Sequence, residues 1–289
     1  MKVWIDGKVV DGPQAMVPVT DHGFLYGDGV FEGMRVYSRR IFRLEDHLSR
    51  LRTASRCIGL SLPGGIDGLR QIVLETARAF DRDDAYIRLV VSRGEGALGV
   101  DPTTCANPRV VCIVDEVRLY PEDKLRQGIS LLTVSLRRPS SDTLDPRVKS
   151  LNYLNNALAK REARLRGADE ALLLNAQGHV AEASVANVFC VRAGELFTPP
   201  ASDGALEGIT RATVLELARR DGIPAAERTL GRFDLLAADE VFLTGSGARI
   251  VPVASLDGQP VGKGGPGALT RQLAAAYEHI VRETGTPLS

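Results

Sequence analysis

An α/β fold is what this sequence predicts, on three observations. Apolar strand-like runs alternate with amphipathic helical stretches along all 289 residues. A charged, proline-bearing segment from Glu116 to Gln127 interrupts two sheet-rich regions, and the length suits two modest domains or one large one. The expected division is a smaller N-terminal α/β part over 1–118, a linker over 119–127 and a larger C-terminal part over 128–289. Composition agrees with a folded soluble chain, at 44% apolar and 25% charged. Acidic and basic residues balance at 36 each with no long single-sign run, which argues against nucleic acid or an anionic membrane as partner. Small molecules are the expected partners. No stretch has the length of a signal core or a membrane span, so the cytoplasm is the default location.

Val3-Trp-Ile-Asp-Gly-Lys-Val-Val predicts a hairpin turning at Asp6-Gly7. In Tyr26-Gly-Asp-Gly-Val-Phe31-Glu-Gly33-Met-Arg35-Val-Tyr37, glycines near aromatics mark close approach of backbone to a ligand or second chain, and Arg35 faces either solvent or a site. Helices follow over about Leu44–Ile58, with Arg50 on its flank, and about Ile66–Phe80, separated by Leu62-Pro-Gly-Gly. Ala85–Ser92 and Arg109–Val114 predict strands, the second apolar enough to be buried on both faces. Between them Gly94-Glu-Gly-Ala-Leu-Gly99 imitates a dinucleotide fingerprint, but Val100-Asp-Pro cannot open the helix that would hold a pyrophosphate. What remains is a flexible glycine loop suited to covering a site.

The second half opens with the strand Ile129–Ser135 and reaches Pro146-Arg-Val-Lys149-Ser-Leu-Asn-Tyr153. Lys149 follows an extended run and precedes a helix whose Leu151, Leu154, Leu158 and Leu165 form one stripe, placing the amine at a helix mouth in a buried region. A lysine so placed either forms an imine with an aldehyde cofactor or snorkels to water. Ala171–Leu174 is a strand, Asn175–Gly178 a turn, and the strands around His179–Ser184 and Val185–Val191 carry Glu182 among small residues, where the carboxylate either faces outward or, if buried, needs a cationic or donor partner. Two candidate anion holders come next, each also readable as an ordinary helix start or a plain hairpin turn. One is the helix start Gly208-Ile209-Thr210, and the other the Thr244-Gly-Ser246-Gly247-Ala248 turn between apolar strands. An amphipathic helix with Leu269, Leu273, Tyr277 and Ile280 ends the chain. Four cysteines and four histidines show no paired metal-ligand spacing, so no metal is expected and the thiols read as reduced core or near-core groups.

Seven collinear pieces from about Trp4 to Val253 resemble the fold-type IV pyridoxal-phosphate aminotransferases, most closely the branched-chain amino acid aminotransferases. They are YGDGVFEGMRVY, HLSRL, YIRLVVSRGEGALG, KSLNY, EASVANVF, EGITR and LTGSGARIVPV. The resemblance implies a two-domain architecture with pyridoxal 5'-phosphate in the interdomain cleft and the larger C-terminal domain binding it. Lys149 would be the catalytic Schiff-base lysine, Glu182 would face the pyridine nitrogen and Tyr153 the phenolic oxygen. Arg50, Ile209, Thr210 and Ser246 would hold the phosphate. Tyr26, Phe31 and Gly33 would supply apolar wall, Arg35, Tyr86 and Arg88 would bind carboxylate, and the backbone at Gly247 and Ala248 would take another. Leu98 and Tyr26 would reach the neighbouring subunit of a homodimer or higher oligomer. The implied reaction is ping-pong transfer from L-leucine, L-isoleucine or L-valine to 2-oxoglutarate. In the interdomain segment, where related enzymes carry pocket aromatics, residues 115–120 offer only Tyr120. D-amino acid or (R)-amine transamination and aminodeoxychorismate lysis are the alternatives on the same fold. A non-catalytic scaffold would have lost Lys149 or Glu182.

Overall fold

The computed structural model describes residues 1–116 and 120–288. In chain order it runs β1 (Lys2–Ile5), β2 (Lys8–Asp11), α1 (His22–Tyr26), β3 (Gly29–Tyr37), β4 (Arg40–Ile41), α2 (Leu44–Cys57), α3 (Gly65–Phe80), β5 (Ala85–Ser92) and β6 (Arg109–Asp115). Then come α4 (Glu122–Gln127), β7 (Ile129–Arg137), α5 (Ser141–Leu144), α6 (Leu154–Leu165), β8 (Glu170–Leu174), β9 (Val180–Ala183), β10 (Asn187–Arg192) and β11 (Glu195–Thr198). The chain continues through α7 (Ile209–Arg220), β12 (Ala225–Glu227), α8 (Arg232–Leu236), β13 (Glu240–Gly245), β14 (Arg249–Leu256), β15 (Gln259–Pro260), α9 (Ala268–Glu283) and β16 (Thr286–Pro287).

Two compact units result, and neither is one stretch of sequence. The first comprises Met1–Val117, Val148–Asn152 and Val281–Ser289; the second, Arg118–Arg147 and Tyr153–Ile280. A division at 118 and 128 puts 148–152 and 281–289 with the C-terminal half, whereas both cluster with the first unit. The expected boundary at 118 and the first linker residue, 119, lie outside the described residues.

In the first unit, seven strands run in the order β16-β4-β3-β5-β6-β1-β2, and all their pairings are antiparallel. Asp6 and Gly7 both take positive φ at the β1–β2 turn, as a tight two-residue hairpin requires. One sheet face packs Val30, Met34, Val36, Ile87, Leu89, Cys112 and Val114 against Leu44, Leu48, Leu51, Leu69 and Val73 of α2 and α3. Strand β6 alternates buried with half-buried residues, so it is covered fully on one face rather than two. The other face of β3 and β5 carries Phe31, Gly33, Arg35, Tyr86 and Arg88, by the two-residue period of a strand.

The second unit has a mixed nine-stranded sheet, ordered β12-β11-β10-β13-β14-β7-β8-β9 with β15 on β14. Helix α6 overturns an expectation. Its leucine stripe faces outward, Leu154 being 70% and Leu165 71% exposed. The buried side is Asn156, Ala159 and Ala163, and the two alanines pack with Val134, Ala171 and Leu173 of β7 and β8. Small residues let the helix lie close on the sheet, which a row of leucines would prevent. No helix among the described residues is long and apolar enough to cross a membrane.

Candidate active site

In the first unit, residues 149–151 add a short pairing to the start of β3. Phe31 N–H donates to the Lys149 carbonyl at 3.0 Å, Leu151 N–H donates to Gly29, and Val30 bridges to Ser150. This sets Lys149 beside the sheet rather than at a helix mouth, since α6 begins only at Leu154 with Tyr153 as its N-cap. The half-buried Lys149 holds its Nζ 4.5 Å from the centre of the Phe31 ring. The Arg88 guanidinium lies 4.6 Å from the same ring and donates to the Tyr86 hydroxyl at 3.0 Å and 3.2 Å.

Gly33 is required by that tyrosine, because a Cβ there would meet the Tyr86 hydroxyl at 2.3 Å. Arg35, opposite Tyr86 in the ladder, is buried, and its Nε has no hydrogen-bond partner among the described residues. Phe31, Arg88, Tyr86, Gly33 and Arg35 thus form one patch with an aromatic floor and cations able to take a carboxylate.

On the opposite face of β3, Arg50 is engaged by Glu32. Arg50 Nε and Nη2 each donate to the Glu32 carboxylate at 2.7 Å, and His47 Nδ1 lies 2.7 Å from its Oε2. Burial would raise the Glu32 carboxyl, but the Arg50 guanidinium overrides it and holds the group well below the usual carboxylate range. Burial also pushes His47 below its ordinary value, so the imidazole is neutral at neutral pH. Against an ionised acceptor, its Nδ1 must carry the hydrogen.

Tyr26, on α1, and Leu98 belong to two segments of this unit that touch. The Tyr26 hydroxyl accepts from Gly99 N–H at 2.8 Å, His22 N–H donates to Gly94, and the His22 ring lies 2.9 Å from the Ala97 carbonyl. The 94–99 loop is therefore pinned to α1 rather than loose. Leu98 itself is exposed, and between the glycines and β6 the described chain makes a single 3-10 turn and no α-helix.

The second unit gathers its residues around Asn187, which sequence reasoning passed over. Glu182, on β9, is buried with 5% exposure, and Arg138 Nη2 pairs with its Oε1 at 2.7 Å. Its Oε2 accepts from Asn187 Nδ2 at 3.2 Å and from Leu206 N–H at 3.0 Å. Arg138 is itself fixed by the Gly204 carbonyl and by Asn156 of α6. Gly208 sits hard against Asn187, for a Cβ there would fall 2.0 Å from its Oδ1. Helix α7 starts directly after Gly208 with no side-chain cap, leaving the first-turn N–H groups of Ile209 and Thr210 to an anion. Across the ladder Asn187 pairs with Thr244, whose buried Oγ1 has no partner among the described residues. Gly245 follows, and the turn Ser246, Gly247 and Ala248 leads into β14. Tyr120 donates to the buried Glu170, which also takes Lys160.

Cys112 and Cys190 are core thiols, each pushed up to about 12 by burial, while Cys57 is exposed. No group of three metal-ligating side chains is arranged for an ion among the described residues.

The family described as amino-transferase class IV matches residues 29–256, and the chain belongs to it: this protein is an aminotransferase of mixed α/β class IV fold. A relative in Methanocaldococcus jannaschii, provisionally named a branched-chain-amino-acid aminotransferase, is 44% identical over 99% of this chain and 98% of its own. The crystal structure of the branched-chain aminotransferase of the thermophilic archaeon Thermoproteus uzoniensis with norvaline superposes with a TM-score of 0.92 at 38% identity, covering 100% and 99% of the two chains. The T.th. branched-chain amino acid aminotransferase complexed with N-(5'-phosphopyridoxyl)-L-glutamate is similar at a TM-score of 0.91 and 35% identity, over 97% of this chain and 94% of that one.

Proposed function

We propose that this aminotransferase uses pyridoxal 5'-phosphate to move the amino group of L-leucine, L-isoleucine or L-valine to 2-oxoglutarate in a ping-pong cycle. The patch of Phe31, Gly33, Tyr86, Arg88 and the buried Arg35 carries the substrate reading, since it pairs apolar wall with carboxylate receptors. The norvaline and phosphopyridoxyl-glutamate complexes of the two similar enzymes support an apolar donor and a γ-carboxylate in the same pocket.

The residues present fit the cofactor. The unpartnered Thr244 Oγ1 and the uncapped start of α7 suit a phosphate, and the buried Glu182 suits a protonated pyridine nitrogen. When bound, the cofactor supplies a carbonyl that accepts amines and a ring that draws electrons from the carbon bearing the amine. Lys149 is the catalytic residue, and its Nζ carries a proton from the α-carbon of the substrate. Arg138, Asn187 and Leu206 N–H fix the orientation of the Glu182 carboxylate. Arg50, Ile209, Thr210 and Ser246 hold phosphate, Tyr153 donates to the phenolic oxygen, and the backbone at Gly247 and Ala248 takes a carboxylate. Exposed Phe24, Leu98 and Val100, beside the bond from Gly99 to Tyr26, support a homodimer in which Tyr26 and Leu98 serve the partner's site.

Amine transfer from the three L-amino acids should be measurable in the parent and absent in Lys149→Ala. A yellow protein that transfers from D-alanine or an (R)-arylamine, or converts aminodeoxychorismate, while ignoring L-leucine would overturn the substrate reading. Transfer that survives Lys149→Ala would overturn the mechanism.

A further inference from the structure

Glu32 is unexpected where it stands. Its neighbours on the same face of β3, Val30, Met34 and Val36, are core residues packed under α2 and α3, and Glu32 has no exposed surface. An apolar residue there would spare the chain a desolvated charge. Instead its carboxylate takes Nε and Nη2 of Arg50 in a two-point pairing, both at 2.7 Å, while His47, one helical turn before Arg50 on α2, holds the same carboxylate at 2.7 Å. A guanidinium gripped along one edge cannot rotate about its last bonds. The two-point pairing therefore fixes the plane and direction of the whole guanidinium.

We propose that Glu32, oriented by His47, is the positioning residue that aims Arg50 at the cofactor phosphate. This rests on the assignment of Arg50 to phosphate binding. Held in place beforehand, Arg50 loses little side-chain freedom when the anion arrives, so binding is tighter than with a mobile arginine. The sign of the effect separates this role from a bystander's. By Coulomb's law alone, Glu32→Gln removes a negative charge near the phosphate and strengthens binding; if Glu32 aims Arg50, the same change weakens it.

The experiment titrates apoprotein with pyridoxal 5'-phosphate and with pyridoxal, which lacks the phosphate, and follows absorbance of the bound chromophore. Arg50→Met should abolish most of the preference for the phosphorylated form. Glu32→Gln should weaken that form by about tenfold and change pyridoxal by less than about twofold. His47→Asn, which keeps a donor near the Nδ1 position, should behave like the parent, and His47→Leu like Glu32→Gln. Melting curves of each apoprotein report folding; should Glu32→Gln fail to fold, the two His47 variants decide by the same criterion. Unchanged or tighter phosphate binding in Glu32→Gln, with Arg50→Met impaired, would overturn the positioning role and leave the Arg50 assignment standing. A preference that survives Arg50→Met would overturn both.

Discussion

Among single side chains, Glu32 and Glu182 are buried carboxylates that each pair with an arginine. Glu182 has Arg138 as its ion-pair partner, with both side chains 6% exposed, so Arg138→Met leaves a buried charge and should cost about 3–5 kcal/mol in urea unfolding. Arg138→Lys, which cannot hold Gly204, Asn156 and Glu182 together, should recover only part. Glu32 and His47 make the first unit sensitive to acid. Both fold with depressed values, so in each case the unfolded chain takes up its proton first as pH falls. Melting temperature should drop on acidification below the ordinary histidine value of 6.5 and again below the ordinary glutamate value of 4.5; His47→Gln should remove the upper step. Lys149 lies beside the sheet and not at the expected helix mouth, whereas Glu182 was legible as a carboxylate that needs a cationic or donor partner once buried. Arg138 and Asn187 were not, since an arginine or asparagine shows its role only once the chain has brought its partners from elsewhere.

At the scale of elements, sequence periodicity located α2 and α3, because one face of each is apolar and the other is not, and the Asp6-Gly7 turn located the β1–β2 hairpin. Helix α6 shows where that signal fails. It carries a leucine stripe and an alanine stripe at the same period, and hydrophobicity favours the wrong one. Close approach to β7 and β8 selects the alanines. Leu165→Gln should therefore shift unfolding by no more than about 0.5 kcal/mol, whereas Ala163→Leu should cost about 1–3 kcal/mol through overpacking. Gly208 was legible only as a helix start. That it must lack a side chain follows from Asn187, and Gly208→Ala should displace that asparagine and loosen its hold on Glu182, seen as weaker cofactor binding.

For the whole molecule, the α/β class and the change of sheet near 116–127 could be read directly, but the return of 148–152 and 281–289 to the first unit could not. Such returns depend on β3 and β4 having open edges, which no local pattern announces. The exposed Phe24 and Leu98 belong to this scale too: Phe24→Glu and Leu98→Glu should lower the mass seen in sedimentation if that surface seats a second copy, while leaving the melting of α2 and α3 unchanged.

Strand β16 closes the seven-stranded sheet on β4, Leu288 enters the core beneath it, and its N–H reaches the Arg39 carbonyl. A ribosome delivers these residues only after every residue of the second unit. The sheet that emerges first is thus completed last, and its early strands must wait with an uncovered edge while more than half the polypeptide is still being made. Chains released after residue 280 should refold slowly and be cut by protease within the first unit, although they already contain Lys149.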